Sequence, residues 1–189
     1  MISRILLTFA IALIAGSSFL THAVAQQRDH LTQQEVDLVK EAQILDKRID
    51  VFIKATERRI MVINGSATAA ANAKQLKKDS EKGWGELPTG SRAELVSDIA
   101  KILDEAITNI DDVSARDERN PLIAKSLRKL AQATNTIMSQ LKPLATEAKS
   151  EAEVASFELL NEDAQSIMEA ANKLPPEVVT DKKDKKKNN

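Results

Sequence analysis

Cysteine is absent from the 189-residue sequence. That excludes a disulfide framework and a thiolate metal site, and it leaves no lipobox cysteine to acylate. Histidine occurs only at positions 22 and 30. His30 alone lies beyond the first 25 residues, so a Ser–His–Asp system would have to be built on that one residue and distant partners. A ferritin-like di-iron bundle needs two Glu-x-x-His pairs, and haem needs His, Met or Cys-x-x-Cys-His ligands. Nothing of that kind is spelled out, so the expectation is a non-enzyme with no metal and no cofactor. Aromatics make up 3% of the chain, and beyond residue 25 they are only Phe52, Trp84 and Phe157. Glycine is nearly as sparse: Gly16 apart, all of it lies between Gly65 and Gly90. A charge excess is also missing. With 27 basic and 28 acidic residues, no basic bias points to nucleic acid.

What remains is rich in Ile, Leu, Val and Ala, the palette of a helical bundle. The first 25 residues are set apart from it. Arg4 forms a basic n-region, Ile5–Ala15 an apolar run, and Ala23-Val24-Ala25 an A-x-A cleavage site. The rival reading, a membrane anchor, needs about 20 apolar residues. Ile5–Leu20 is shorter and contains Thr8 and Gly16–Ser18. Cleavage at Ala25–Gln26 is therefore expected, giving a periplasmic or secreted protein with no transmembrane span. Residues 26–31 then form a short N-terminal segment, and 32–174 a single helical domain of a length that buries a core.

The longest helical signal is Thr32–Ile63. Thr32 and Glu35 form a capping box, Leu31 and Val36 a hydrophobic staple, and Asn64-Gly65 a stop. Read as one helix it extends roughly 48 Å. Its apolar residues fall into heptad columns, one of Ala42, Ile49, Thr56 and Ile63 and one of Leu38, Leu45, Phe52 and Arg59, with Val39, Asp46, Ile53 and Ile60 beside them. This stripe is wider than a two-stranded seam, so several helices should cover it. Asp46 and Arg59 interrupt the apolar columns and are the candidate buried polar residues. They are expected either to line a polar cavity or to meet partners on other helices. At 13 residues apart, about 20 Å, they are too distant to pair with each other.

Residues 64–90 read as a flexible Gly/Ala-rich linker with a short helix around Ala69–Lys78. In its Gly-Trp-Gly, Trp84 is the candidate interaction residue: a recognition anchor, or a lid folded over the bundle. Ser91 and Glu94 cap a second helix with Val96, Ile99, Leu103, Ala106, Ile110 and Val113 at three-four spacing. Asn120-Pro121 starts a third. Pro143 is expected to kink that helix, although Leu144 stays in phase with its stripe. A turn near Ala148–Ser150 leads to a last helix, stopped by Pro175-Pro176. Residues 175–189 read as a disordered Lys-rich tail, whose Lys182–Lys187 suit at most a weak contact with an anionic surface.

The predicted fold is thus an all-α, antiparallel bundle of about four helices with a long first helix. Residues 91–119 carry 4 basic and 8 acidic groups, 120–149 carry 5 and 1, and 150–174 carry 1 and 6. That alternation predicts the third helix lying between the second and the last. Asp111, Asp112, Asp117 and Glu118 cluster at one turn without EF-hand spacing, which reads as a solvated helix end. The functional expectation is a non-catalytic exported protein working through a protein partner in the cell envelope. The alternative is a small-ligand or divalent-metal binder that uses the polar residues in the helix seam.

Overall fold

The computed structural model of the chain describes residues 29–65 and 70–176. The expected leader, its cleavage bond and the lysine tail lie outside the described residues, as do residues 66–69 of the linker. The fold is all-α. Six helices pack together: α1 (Gln33–Glu41), α2 (Leu45–Ile63), α3 (Ala70–Glu81), α4 (Arg92–Arg116), α5 (Pro121–Glu147) and α6 (Glu151–Asn172). There is no strand among the described residues, and none of their helices is long and apolar enough to cross a membrane.

The long first helix is two helices. The capping box at Thr32 forms with both of its arms, so α1 begins where its residues dictate. It stops at Ala42, and α2 starts after Ile44 with no side-chain cap. Neither glycine nor proline marks the break. Its cause lies elsewhere in the chain: the Glu35 carboxylate meets the guanidinium groups of Arg58 and Arg59 at 2.9–3.3 Å. Along one straight helix those residues would be about 35 Å apart. The chain folds back at 42–44 so that α1 lies against α2. Arg48 Nε donates to the freed Ala42 carbonyl at 3.0 Å, and Gln43 Nε2 donates to that of Lys40 at 2.6 Å.

α2, α4, α5 and α6 form the core. Ion pairs and hydrogen bonds fix their directions. Arg59, late in α2, meets Asp98, early in α4, while Arg48, early in α2, meets Asn109, late in α4. These two helices run in opposite directions. α5 runs with α2, since Asp46 and Asp50 pair with Lys125 and Lys129 near the two helix starts. α6 runs with α4, since Arg92 pairs with Glu153 at 2.7 Å. α5 and α6 oppose each other, and Arg128 near the start of α5 donates to the Pro175 carbonyl beyond the end of α6. The order around the core is α2, α4, α6, α5, so the neighbours α2–α5 and α4–α6 run parallel, which corrects the expected antiparallel bundle. α4 and α5 touch least, across the diagonal, whereas α4 and α6 share the most extensive contact.

The expectation of a basic helix between two acidic ones is therefore corrected: the two acidic helices lie side by side. Exposed ion pairs are worth at most about 1 kcal/mol, and the apolar stripes decide the arrangement. Ile99, Ile102, Leu103 and Ala106 of α4 and Leu160 and Ile167 of α6 have no exposed surface. α5 runs through Pro143, which is exposed on the outer side of the helix, and ends at Ala148, with Ser150 capping α6.

Candidate functional site

Three features stand out: a buried ionic clasp at the C-terminal end of α2, a second charge cluster at its N-terminal end, and a surface groove between α5 and α6.

The clasp is centred on Glu35, which is fully buried. Its position three residues after the cap places its carboxylate on the Thr32 backbone N–H, at 2.9 Å. The same carboxylate accepts from Arg58 Nε at 3.3 Å and from Arg59 Nη1 and Nη2 at 3.1 and 2.9 Å. Arg59 also donates to the Ala55 carbonyl at 2.8 Å and the His30 carbonyl at 2.5 Å, and its Nε lies 3.5 Å from Asp98. Arg58 Nη2 reaches three successive carbonyls, those of Trp84, Gly85 and Glu86, at 3.1, 3.3 and 2.5 Å. Its guanidinium lies 5.5 Å from the Trp84 ring centroid, in cation–π range. Gly83 and Gly85 have φ of +82° and +61°, which lets the turn present both the ring and the carbonyls of Trp84 to Arg58. A Cβ on Gly85 would meet Gln34 of α1 at 2.9 Å.

Near the clasp, Asp79 of α3 pairs with Lys54 of α2 at 3.1 Å. Three carboxylates, of Glu35, Asp79 and Asp98, thus face three cations, of Arg58, Arg59 and Lys54. Burial pulls the Arg58 guanidinium below its ordinary pKa, and the charges of Glu35 and Asp79 oppose that shift. Glu35 has each of its oxygens in two hydrogen bonds, so it offers no free lone pair for general-base chemistry. This arrangement holds segments together.

At the other end of α2, Asp46 is 6% exposed and sits in the first turn, where the helix dipole favours a carboxylate. Lys129 reaches its Oδ1 at 2.5 Å and Lys125 its Oδ2 at 3.0 Å, with Asp50 2.7 Å from Lys129. The hydrogen bond from Lys129, helped by Lys125, holds the Asp46 carboxyl below its usual pKa despite burial. Burial works against the Lys129 charge, but the bonds to Asp46 and Asp50 outweigh it and raise its pKa. Asp46 and Arg59, the two polar interruptions of the α2 stripe, therefore have separate partners on different elements.

The third predicted residue, Trp84, is 8% exposed and lies within the core cluster, folded over Arg58. His30 pairs with Glu105 at 2.7 Å. Asp111, Asp112, Asp117 and Glu118 are all exposed. Among the described residues no three of His, Asp and Glu gather closely enough to hold a metal ion. Glu35, Arg58 and Asp98 are members of the clasp that the residue pattern did not single out. The local signals are the capping box, which shows Glu35 only as a cap partner, and the Arg58-Arg59 pair late in a helical run.

The groove lies between the second half of α5 and the first half of α6 and encloses about 480 Å³. Met138, Leu141, Ala145, Phe157 and Leu160 supply its apolar wall, and among the described residues Lys142 is the one charged side chain lining it. Val154, one turn before Phe157 on α6, is 41% exposed.

Comparison with protein-family models, curated proteins and solved structures gives no match to this chain.

Proposed function

We propose that the chain is an exported, non-catalytic helical-bundle protein that acts through protein–protein contacts in the cell envelope. The α5–α6 groove is the observation that carries this reading. It offers a partner side chain an apolar recess, while the charges of the clasp and of Asp46 are met within the chain. The leader-like residues 1–25 support export. The four core helices are read as one bundle, with α1 and α3 as its outer attachments. Trp84 acts as a lid on the clasp in this reading, and recognition passes to the groove. A small-ligand or divalent-metal role for the seam draws no support from Asp46 and Arg59, whose charges are already paired.

Photo-cross-linking in intact cells tests the proposal. A cross-linker at Met138 is expected to capture a defined envelope protein, and Ala145→Glu, which fills the groove with a charge, is expected to abolish the capture without changing the melting temperature. Identical captures from Met138 and from a control site at Asp111, or captures indifferent to Ala145→Glu, would refute it.

A further inference from the structure

The groove between α5 and α6 divides two helices of opposite charge. Residues 120–149, which contain α5, carry 5 basic groups and 1 acidic. α6 carries six acidic residues and no basic one between Glu151 and Asn172. Lys142 lines the groove from α5. On α6, Glu158 follows Phe157 and stands one turn before Asn161, both of them groove residues. Lys142 and Glu158 are exposed. Neither side chain makes a hydrogen bond or ion pair with a described residue. A basic edge and an acidic edge thus flank one apolar recess without neutralising each other.

Such a face is complementary to itself. A two-fold axis running along the groove lays α5 of one copy over α6 of the other, antiparallel, because α5 and α6 oppose each other within the chain. Base then meets acid along both edges, and the two apolar recesses face each other. An axis across the groove would stack α6 on α6 and set acid against acid, which opposes association. The face is also large enough. α6 is about 33 Å long and two adjacent helices are about 20 Å wide, which approaches the roughly 800 Å² that a stable complex buries on each partner.

We propose that the α5–α6 face is a homodimer interface, covered by the same face of a second copy, with Lys142 of each chain against Glu158 of the other. The dimer rests on the reading of the groove as a protein-contact site and gives that site its partner. An axis along the groove keeps every residue at its own level on the helices. Lys142 shares the groove with Phe157 and Asn161, so it comes over the segment of the second copy that holds Glu158. Two such pairs form, one at each edge, and they flank Met138, Leu141, Ala145, Phe157 and Leu160 of both chains. The charges set orientation and register, and the apolar recess supplies the burial.

Sedimentation equilibrium of the full exported chain tests the dimer. Wild type is expected to show a reversible monomer–dimer equilibrium. Lys142→Glu and Glu158→Lys each place two like-charge pairs in the interface and should weaken it about tenfold. An equal mixture of the two variants restores both opposite pairs and should form a heterodimer as strongly as wild type dimerises. Both positions are exposed, so the variants are expected to keep the wild-type circular-dichroism spectrum. A chain that stays monomeric at millimolar concentration, single variants that dimerise like wild type, or a mixture without recovery overturns the proposal. The cross-linker at Met138 separates this failure from that of the groove itself. A product of twice the chain mass supports the dimer. Capture of a different protein, abolished by Ala145→Glu, overturns the dimer and leaves the groove as a contact site. Capture indifferent to Ala145→Glu overturns both.

Discussion

α2 carries a charged site at each end, and the two are built on different chemistry. At its start, Asp46 is met by two lysines that reach in from solvent, Lys125 with 60% and Lys129 with 29% of its side chain exposed. At its end, Arg58 and Arg59 are at most 1% exposed and are met by carboxylates, backbone carbonyls and a ring. A lysine ammonium is strongly hydrated and keeps some of its water at a rim. A guanidinium is more weakly hydrated, and its donors lie in a fixed plane, so a fully enclosed site can satisfy them. The difference sets the cost of removing one partner. At the rim, water replaces it. In the clasp, a charge is left inside the protein without a counter-charge.

Breaking the clasp should therefore have the largest effect. Arg59→Met takes away two of the four donors on the Glu35 carboxylate and the guanidinium beside Asp98, and should cost about 4 kcal/mol in denaturant unfolding. A cost below about 1 kcal/mol would erase the distinction between the two sites. Trp84→Ala comes next. It removes the lid over Arg58 and should lower stability by about 3 kcal/mol, read from chemical melts followed by circular dichroism. The rim site should give the smallest change. Asp46→Asn should lose about 1 kcal/mol at pH 7, a figure discounted for the solvent that reaches Lys125. Because the Asp46 pKa is depressed in the folded state, its contribution is present above the ordinary carboxylate value and disappears as pH falls through the folded one. Wild type and Asp46→Asn should accordingly converge in strong acid. A gap that persists there would mean that packing, and not charge, holds that end of α2.

Local chemistry made the helix ends legible. Thr32 and Ser91 cap with their box partners, Asn120 caps its helix, and Gly65 takes the left-handed conformation, all where the residue types placed them, and Ser150 caps α6 within the expected turn. The three-four apolar stripes located α4, α5 and α6. The break at Ala42–Ile44 was hidden because its residues are compatible with helix and its cause is Arg58 and Arg59, more than a dozen residues downstream. Glu35 was visible only as half of a capping box, and nothing nearby announces that one carboxylate also serves two guanidinium groups. The neighbours of α4 were misjudged because the charge pattern describes the outer faces, while buried Ile, Leu and Ala set the packing. Asp46 and Arg59 stood out as polar in apolar columns, but a column does not say which helix supplies the answering charge.

One consequence of the clasp concerns the order in which the chain is made. Its members run from His30 to Asp98, so all of them lie ahead of α5 and α6. A chain that emerges N-terminus first can tie α1, α2, the Gly-Trp-Gly turn and the start of α4 together before its last two helices exist. The rim site on α2 stays open until Lys125 and Lys129 arrive. Every member of the clasp thus lies within residues 30–98, whereas the rim site needs α5 to be complete.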